Sequence, residues 1–148
     1  MNPQVLDHAG IAARVPHSGS MCLLHSMHAW SARHIECTAL SHLDPANPLL
    51  VQGVLWACNG IEYAAQAMAL HAGLNAAPGS APTPGFLASV RGVTLHVPQL
   101  HGIAGRLHIV ALLSAGDSHQ ALYTFTLHDA TGTLLVDGRA TVVLKAPP

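Results

Sequence analysis

The chain has 148 residues, half of them hydrophobic and 9% charged, with a formal net charge of −1. That length suits one domain with a substantial core, and without a cluster of Lys or Arg the chain lacks the basic face a nucleic-acid binder needs. So little charge on so small a protein predicts that surface is hidden in an oligomer.

In chain order, Val5 to Arg14 reads as a short helix or lid before Pro16. Ser20 to Trp30 and Arg33 to Leu40 read as two strands, since Ile35, Cys37 and Ala39 alternate with polar neighbours. Asp44-Pro45 and Asn47-Pro48 mark a loop over Ser41 to Asn47. A long apolar helix follows, Leu55 to Gly73, with Gly73 as its stop. Ala77 to Pro84 is a Pro/Gly/Ser linker too short to separate domains. Four strands then come at Phe86–Val97, Leu107–Leu113, Ala121–His128 and Thr133–Leu144, with Gly116-Asp117 and Thr131-Gly132 as hairpin turns. Short turns imply an antiparallel meander. A single buried helix against such a sheet predicts an α+β hot-dog fold, one domain over residues 1–148. Beta-grasp and cystatin-like arrangements fit the same pattern.

Cys22, Cys37 and Cys58 are widely spaced and form no CxxC, which predicts reduced thiols in a cytoplasmic protein. Met1 to Arg14 carries Asp7 and His8 and lacks an apolar signal core. Between Gly53 and Leu74 the one formal charge is Glu62, but Asn59, Gln66 and His71 interrupt the run, which predicts a buried helix rather than a membrane span. The twelve histidines are scattered, with no helical pair at metal-binding spacing, so no metal is expected.

At 100° per residue, Asn59, Glu62 and Gln66 fall within about 60° of arc on an otherwise small or apolar helix. A carboxylate buried there is expected to have a raised pKa and to exchange protons near neutrality. The competing reading is structural: Glu62 hydrogen-bonded to backbone, or paired with Arg91 or Arg139 across a dimer. His71 points to the opposite side of the helix and is not expected to partner Glu62.

Glu62-Tyr63-Ala64-Ala65-Gln66 resembles the Glu-x-x-Ala-Gln helix start of 3-hydroxyacyl-[acyl carrier protein] dehydratases of the FabA/FabZ type. Val15-Pro16-His17-Ser18-Gly19-Ser20-Met21-Cys22-Leu23-Leu24 is similar to their Ile-Pro-His-Arg-x-Pro-Phe-Leu-Leu segment, and Ala88 to Pro98 to the strand after their helix. Ser41-His42 stands where the family's Gly-His-Phe-Pro places its catalytic histidine. The run Asn47-Pro48-Leu49, then Gly60 to Ala69 and His71-Ala72-Gly73, is most similar to the branch from aryl polyene pigment clusters. The chain departs from the family in reading Ser41-His42-Leu43-Asp44-Pro45, with His42 and Glu62 twenty positions apart, six more than in the family. Gln52-Gly53 is the nearest relic of the family's Pro-Gly.

The resemblance implies dehydration of 3-hydroxyacyl thioesters on acyl carrier protein, in fatty acid-like or aryl polyene synthesis. His42 would be the base and Glu62 the acid. Backbone N–H groups of Ala57 and Cys58 would hold the oxyanion, and Asn59 and Gln66 would orient Glu62 or water. It also implies a dimer, homomeric or with another hot-dog subunit, phosphopantetheine as the tether, and no metal or diffusible cofactor. An ordinary loop histidine at position 42, a hot-dog thioesterase, and a non-catalytic subunit of a heterodimer remain open on the same residues.

Overall fold

The computed structural model describes residues 4–15, 19–75 and 85–144. A five-residue helix α1 (His8–Ala12), capped by the Asp7 carboxylate on the Gly10 N–H, packs on the first strand. The strands are β1 (Leu24–Ser31), β2 (His34–Ala39), β3 (Gly85–Leu95), β4 (Leu107–Gly116), β5 (Gln120–His128) and β6 (Leu134–Leu144). The long helix α2 spans Gly60–Leu74.

All pairings are antiparallel, in the order β1-β2-β4-β5-β6-β3. One face of this sheet covers α2. Along β5 every second residue, Ala121, Tyr123, Phe125 and Leu127, is buried, as a half-covered strand requires. They meet Tyr63, Ala64, Ala67, Met68, Leu70 and Leu74 of the helix in one core. A fully buried Met68 or Leu70 contributes about 2 kcal/mol. Glycine permits two close approaches: a Cβ on Gly60 would come within 3.0 Å of Leu127, and one on Gly138 within 2.9 Å of Val93. This is the hot-dog arrangement that the element order predicts.

Four features differ from the sequence reading. The helix begins at Gly60, not Leu55, because residues 55–57 bond to residues 98–100, with Leu100 N–H to Leu55 C=O at 2.8 Å and Ala57 N–H to Pro98 C=O at 3.0 Å, and Ala57–Asn59 form a 3-10 turn ahead of the helix. Gly73 does not end it; the helix runs to Leu74, with Asn75 as its cap. The last four strands are not one meander: β4-β5-β6 are, but β3 lies beyond β6 at the far edge. Also, Gly19–Met21 form a 3-10 turn, so β1 starts at Leu24. The expected linker Ala77–Pro84 lies outside the described residues. Among those residues no helix is long and apolar enough to cross a membrane.

Candidate active site

His42 sits in a 3-10 turn, Ser41–Leu43, directly after β2. Its ring is buried, with 1% of the residue exposed. Nε2 lies 2.9 Å from the Ile103 carbonyl oxygen, which accepts but cannot donate, so this nitrogen carries the proton. Nδ1 is then the basic lone pair; it is buried and has no hydrogen-bond partner among the described residues. Burial lowers the pKa of His42, and the Ile103 and Gly105 carbonyls offset only part of that. The result is a neutral imidazole of fixed tautomer with a bare acceptor, the form a general base takes.

The turn holding His42 is tied to α2 by a chain of hydroxyls. Ser41 donates to the Leu23 carbonyl at 2.8 Å, so the Tyr63 hydroxyl, 2.8 Å away, donates to Ser41. Asn47 donates to both the Tyr63 oxygen at 3.2 Å and the Ser41 carbonyl at 2.8 Å. Thus the neighbour of His42 is bonded to the neighbour of Glu62. The stretch between His42 and Glu62 is spanned with that contact in place. Val51 and Val54 exchange backbone bonds of 2.9 and 3.0 Å around Gln52-Gly53, both at positive φ (51° and 78°), a primed two-residue turn. In the sequence Ser41, Asn47 and Tyr63 stand only as motif letters. The available signal was a tyrosine on the core face of an apolar helix, since its hydroxyl must find a partner.

Glu62 occupies the first turn of α2 and is half-buried. The expectation of a deeply buried carboxylate fails because the helix starts five residues later than the apolar run suggests, leaving Glu62 near its end. Asn59 precedes the helix, and its side chain makes no capping bond. Gln66 bonds to backbone: its Oε1 accepts the Leu23 N–H at 2.8 Å and its Nε2 donates to the Met21 carbonyl at 2.6 Å. The polar stripe therefore splits, with Gln66 stapling the chain just before β1. The Ala57 N–H, expected in an oxyanion hole, is committed to Pro98. Cys58 is exposed beside it in the 3-10 turn Ala57–Asn59 that leads into α2.

His71 faces away from this site. Its Nε2 donates to the Ser31 carbonyl at 2.8 Å and its Nδ1 accepts the Tyr123 hydroxyl at 2.7 Å. Burial lowers its pKa. Among the described residues no three His, Cys, Asp or Glu side chains gather as metal ligands.

Residues 9–146 match the ApeP-like family model, described as ApeP dehydratase. The dehydratase heterocomplex ApeI:P from Xenorhabdus doucetiae superposes with a TM-score of 0.82 at 25% identity, over 92% of this chain and 91% of that one. A thioesterase from Haemophilus influenzae (TM-score 0.68, 14% identity, 95% and 91% covered) and one from Pseudomonas aeruginosa (0.68, 14%, 94% and 94%) share the fold. A search of curated proteins returns no match. With the family model covering nearly the whole chain, this hot-dog protein belongs to the ApeP-like dehydratase family.

Proposed function

We propose that the protein dehydrates 3-hydroxyacyl thioesters, presented on the phosphopantetheine arm of an acyl carrier protein, to trans-2-enoyl thioesters, within a fatty acid-like or aryl polyene synthesis. The observation that carries this is His42: a buried, neutral ring, its tautomer set by Ile103, with Nδ1 unpartnered among the described residues. In this reading Nδ1 takes the α-proton. Electron density moves onto the thioester oxygen, at the positive end of the α2 dipole, entered through Cys58. Glu62 gives a proton to the departing β-hydroxyl. The Cα–H and Cβ–O bonds break, the Cα=Cβ bond forms and water leaves. The proton on His42 returns to Glu62 through solvent, and no diffusible cofactor is called for.

The partner is a second hot-dog subunit, met along β3. That strand is one of the two edges of the sheet and is open on both faces, with Phe86, Leu87 and Leu95 at 54%, 38% and 46% exposure. An apolar edge of this kind is a template for another strand. The heteromeric ApeI:P structure supports such an association.

A hydrolytic reading has one observation in its favour: Glu62 is only half-buried, which leaves room for a water it could activate at the thioester carbonyl. Intact-mass analysis of a 3-hydroxyacyl carrier protein after incubation separates the two. Loss of one water from the acyl group supports dehydration; release of free carrier thiol with no loss of water overturns it.

A further inference from the structure

The outer face of the edge strand carries an unusual pair. Arg91 of β3 and Arg139 of β6 stand directly opposite each other in register. Both are exposed, and Arg139 is flanked by the buried Gly138 and Ala140, so both point away from α2. Arg139 leans toward β3: its guanidinium lies 3.6 Å from where a Cβ of Gly92 would be. Like charges facing each other across a ladder are destabilising, yet two of the chain's six Lys and Arg residues are placed so. Among the described residues no carboxylate pairs with either one. Asp137, two positions along β6 on that face, is instead 2.7 Å from His96 Nε2.

From this we infer that Arg91 and Arg139 select the partner at the β3 edge, favouring a different hot-dog subunit whose edge strand bears Asp or Glu over a second copy of this chain. The inference rests on the β3 association proposed above. Its geometry follows from the strand itself. Arg91 lies one residue from Val90, the middle of Gly85–Leu95. Two copies pairing antiparallel with full overlap would set Arg91 against Ser89 of the other copy. The two Arg91 side chains would then be diagonal neighbours about 7–8 Å apart on the same face. Arg139 of each copy stands one strand further in, about 4.8 Å away. Four guanidinium groups would gather on one face, within a Debye length of their neighbours at physiological salt. A strand with carboxylates at those positions converts the same contacts into attraction. Both arginines also line a cleft of about 420 Å³ on that face, so their side chains are open to a partner's carboxylates.

The test needs only this chain. The double variant Arg91→Glu/Arg139→Glu serves as the acidic partner, Arg91→Gln/Arg139→Gln as the neutral control, and circular dichroism checks that each is folded. Native mass spectrometry of an equal mixture of wild type and the acidic variant is expected to show heterodimer well above the about one-half of dimers that random pairing gives. Sedimentation is expected to show wild-type self-association tightening about tenfold as salt rises and screens the arginines, a dependence the neutral variant lacks. A random mixture together with a salt-indifferent wild-type homodimer overturns the selection by charge while leaving the edge association standing. If wild type, neutral variant and mixture all stay monomeric, the edge association and the inference fall together.

Discussion

Replacing Gln66 with Met removes two polar atoms while keeping the shape of the side chain. Gln66 is buried in α2, and its amide meets one backbone donor and one backbone acceptor just ahead of β1. In Gln66→Met the Leu23 N–H is left unpaired in a residue 1% exposed, a loss of about 1–3 kcal/mol. Met21 is less buried, so its carbonyl recovers part of its bond from water. Greater apolar burial by Met offsets only a fraction, giving a net destabilisation of about 2–3 kcal/mol. For a chain of this size that lowers the melting temperature by about 5–10 °C. Urea unfolding followed by circular dichroism gives the free energy, and the pH dependence of the turnover rate gives the second readout. The structure expects lost stability with the shape of the pH profile kept. A variant of wild-type stability whose pH profile moves would refute this reasoning and return Gln66 to orienting Glu62.

Three further outcomes follow from the same contacts. Tyr123→Phe strands His71 Nδ1 in the core and costs about 1–3 kcal/mol in denaturant unfolding; an unchanged midpoint would mean the bond carries nothing. His42 and His71 both have folded pKa values lowered by burial, so below about pH 6.5 the unfolded chain binds more protons than the folded one. Stability therefore falls as pH drops through that range toward the folded values and is fully present above it; a stability that is flat or rising on acidification from pH 7 to 5 would contradict the burial of both rings. Among the thiols, Cys37 is buried with its pKa pushed up to about 12, Cys22 is buried, and Cys58 is exposed. Alkylation of the native protein is expected at Cys58 first, with Cys37 reacting only on unfolding; early modification of Cys37, read by peptide mapping, would be inconsistent with its place in the core.

Much of the fold was legible because alternation is local. Tyr123, Phe125 and Leu127 declare a half-covered strand without reference to anything else. What misled lies in long-range pairing. Leu55 to Ala57 look helical beside the apolar run that follows, but their backbone is claimed by residues 98–100, far away in sequence. That one ladder shifts the helix start, exposes part of Glu62 and uses the Ala57 N–H. Likewise nothing in the spacing of β3 shows that it crosses to the outside of β6. At the site, the helical wheel put Gln66 on the face of Glu62, yet a side-chain amide takes whichever backbone groups its surroundings leave unpaired. The motif residue His42 could be picked out from sequence; its tautomer could not, because the Ile103 carbonyl that sets it lies on a distant loop.

Whether His42 and Glu62 act together is tested most directly by one comparison: dehydration of a 3-hydroxyacyl carrier protein by wild type, His42→Ala and Glu62→Gln, each with its hot-dog partner if the complex is required. Loss of the positioned base or acid is expected to slow turnover by about 10²–10⁴-fold in each variant, with the folded state confirmed by circular dichroism. Wild-type turnover in both variants would contradict the assignment of this pair as the catalytic groups.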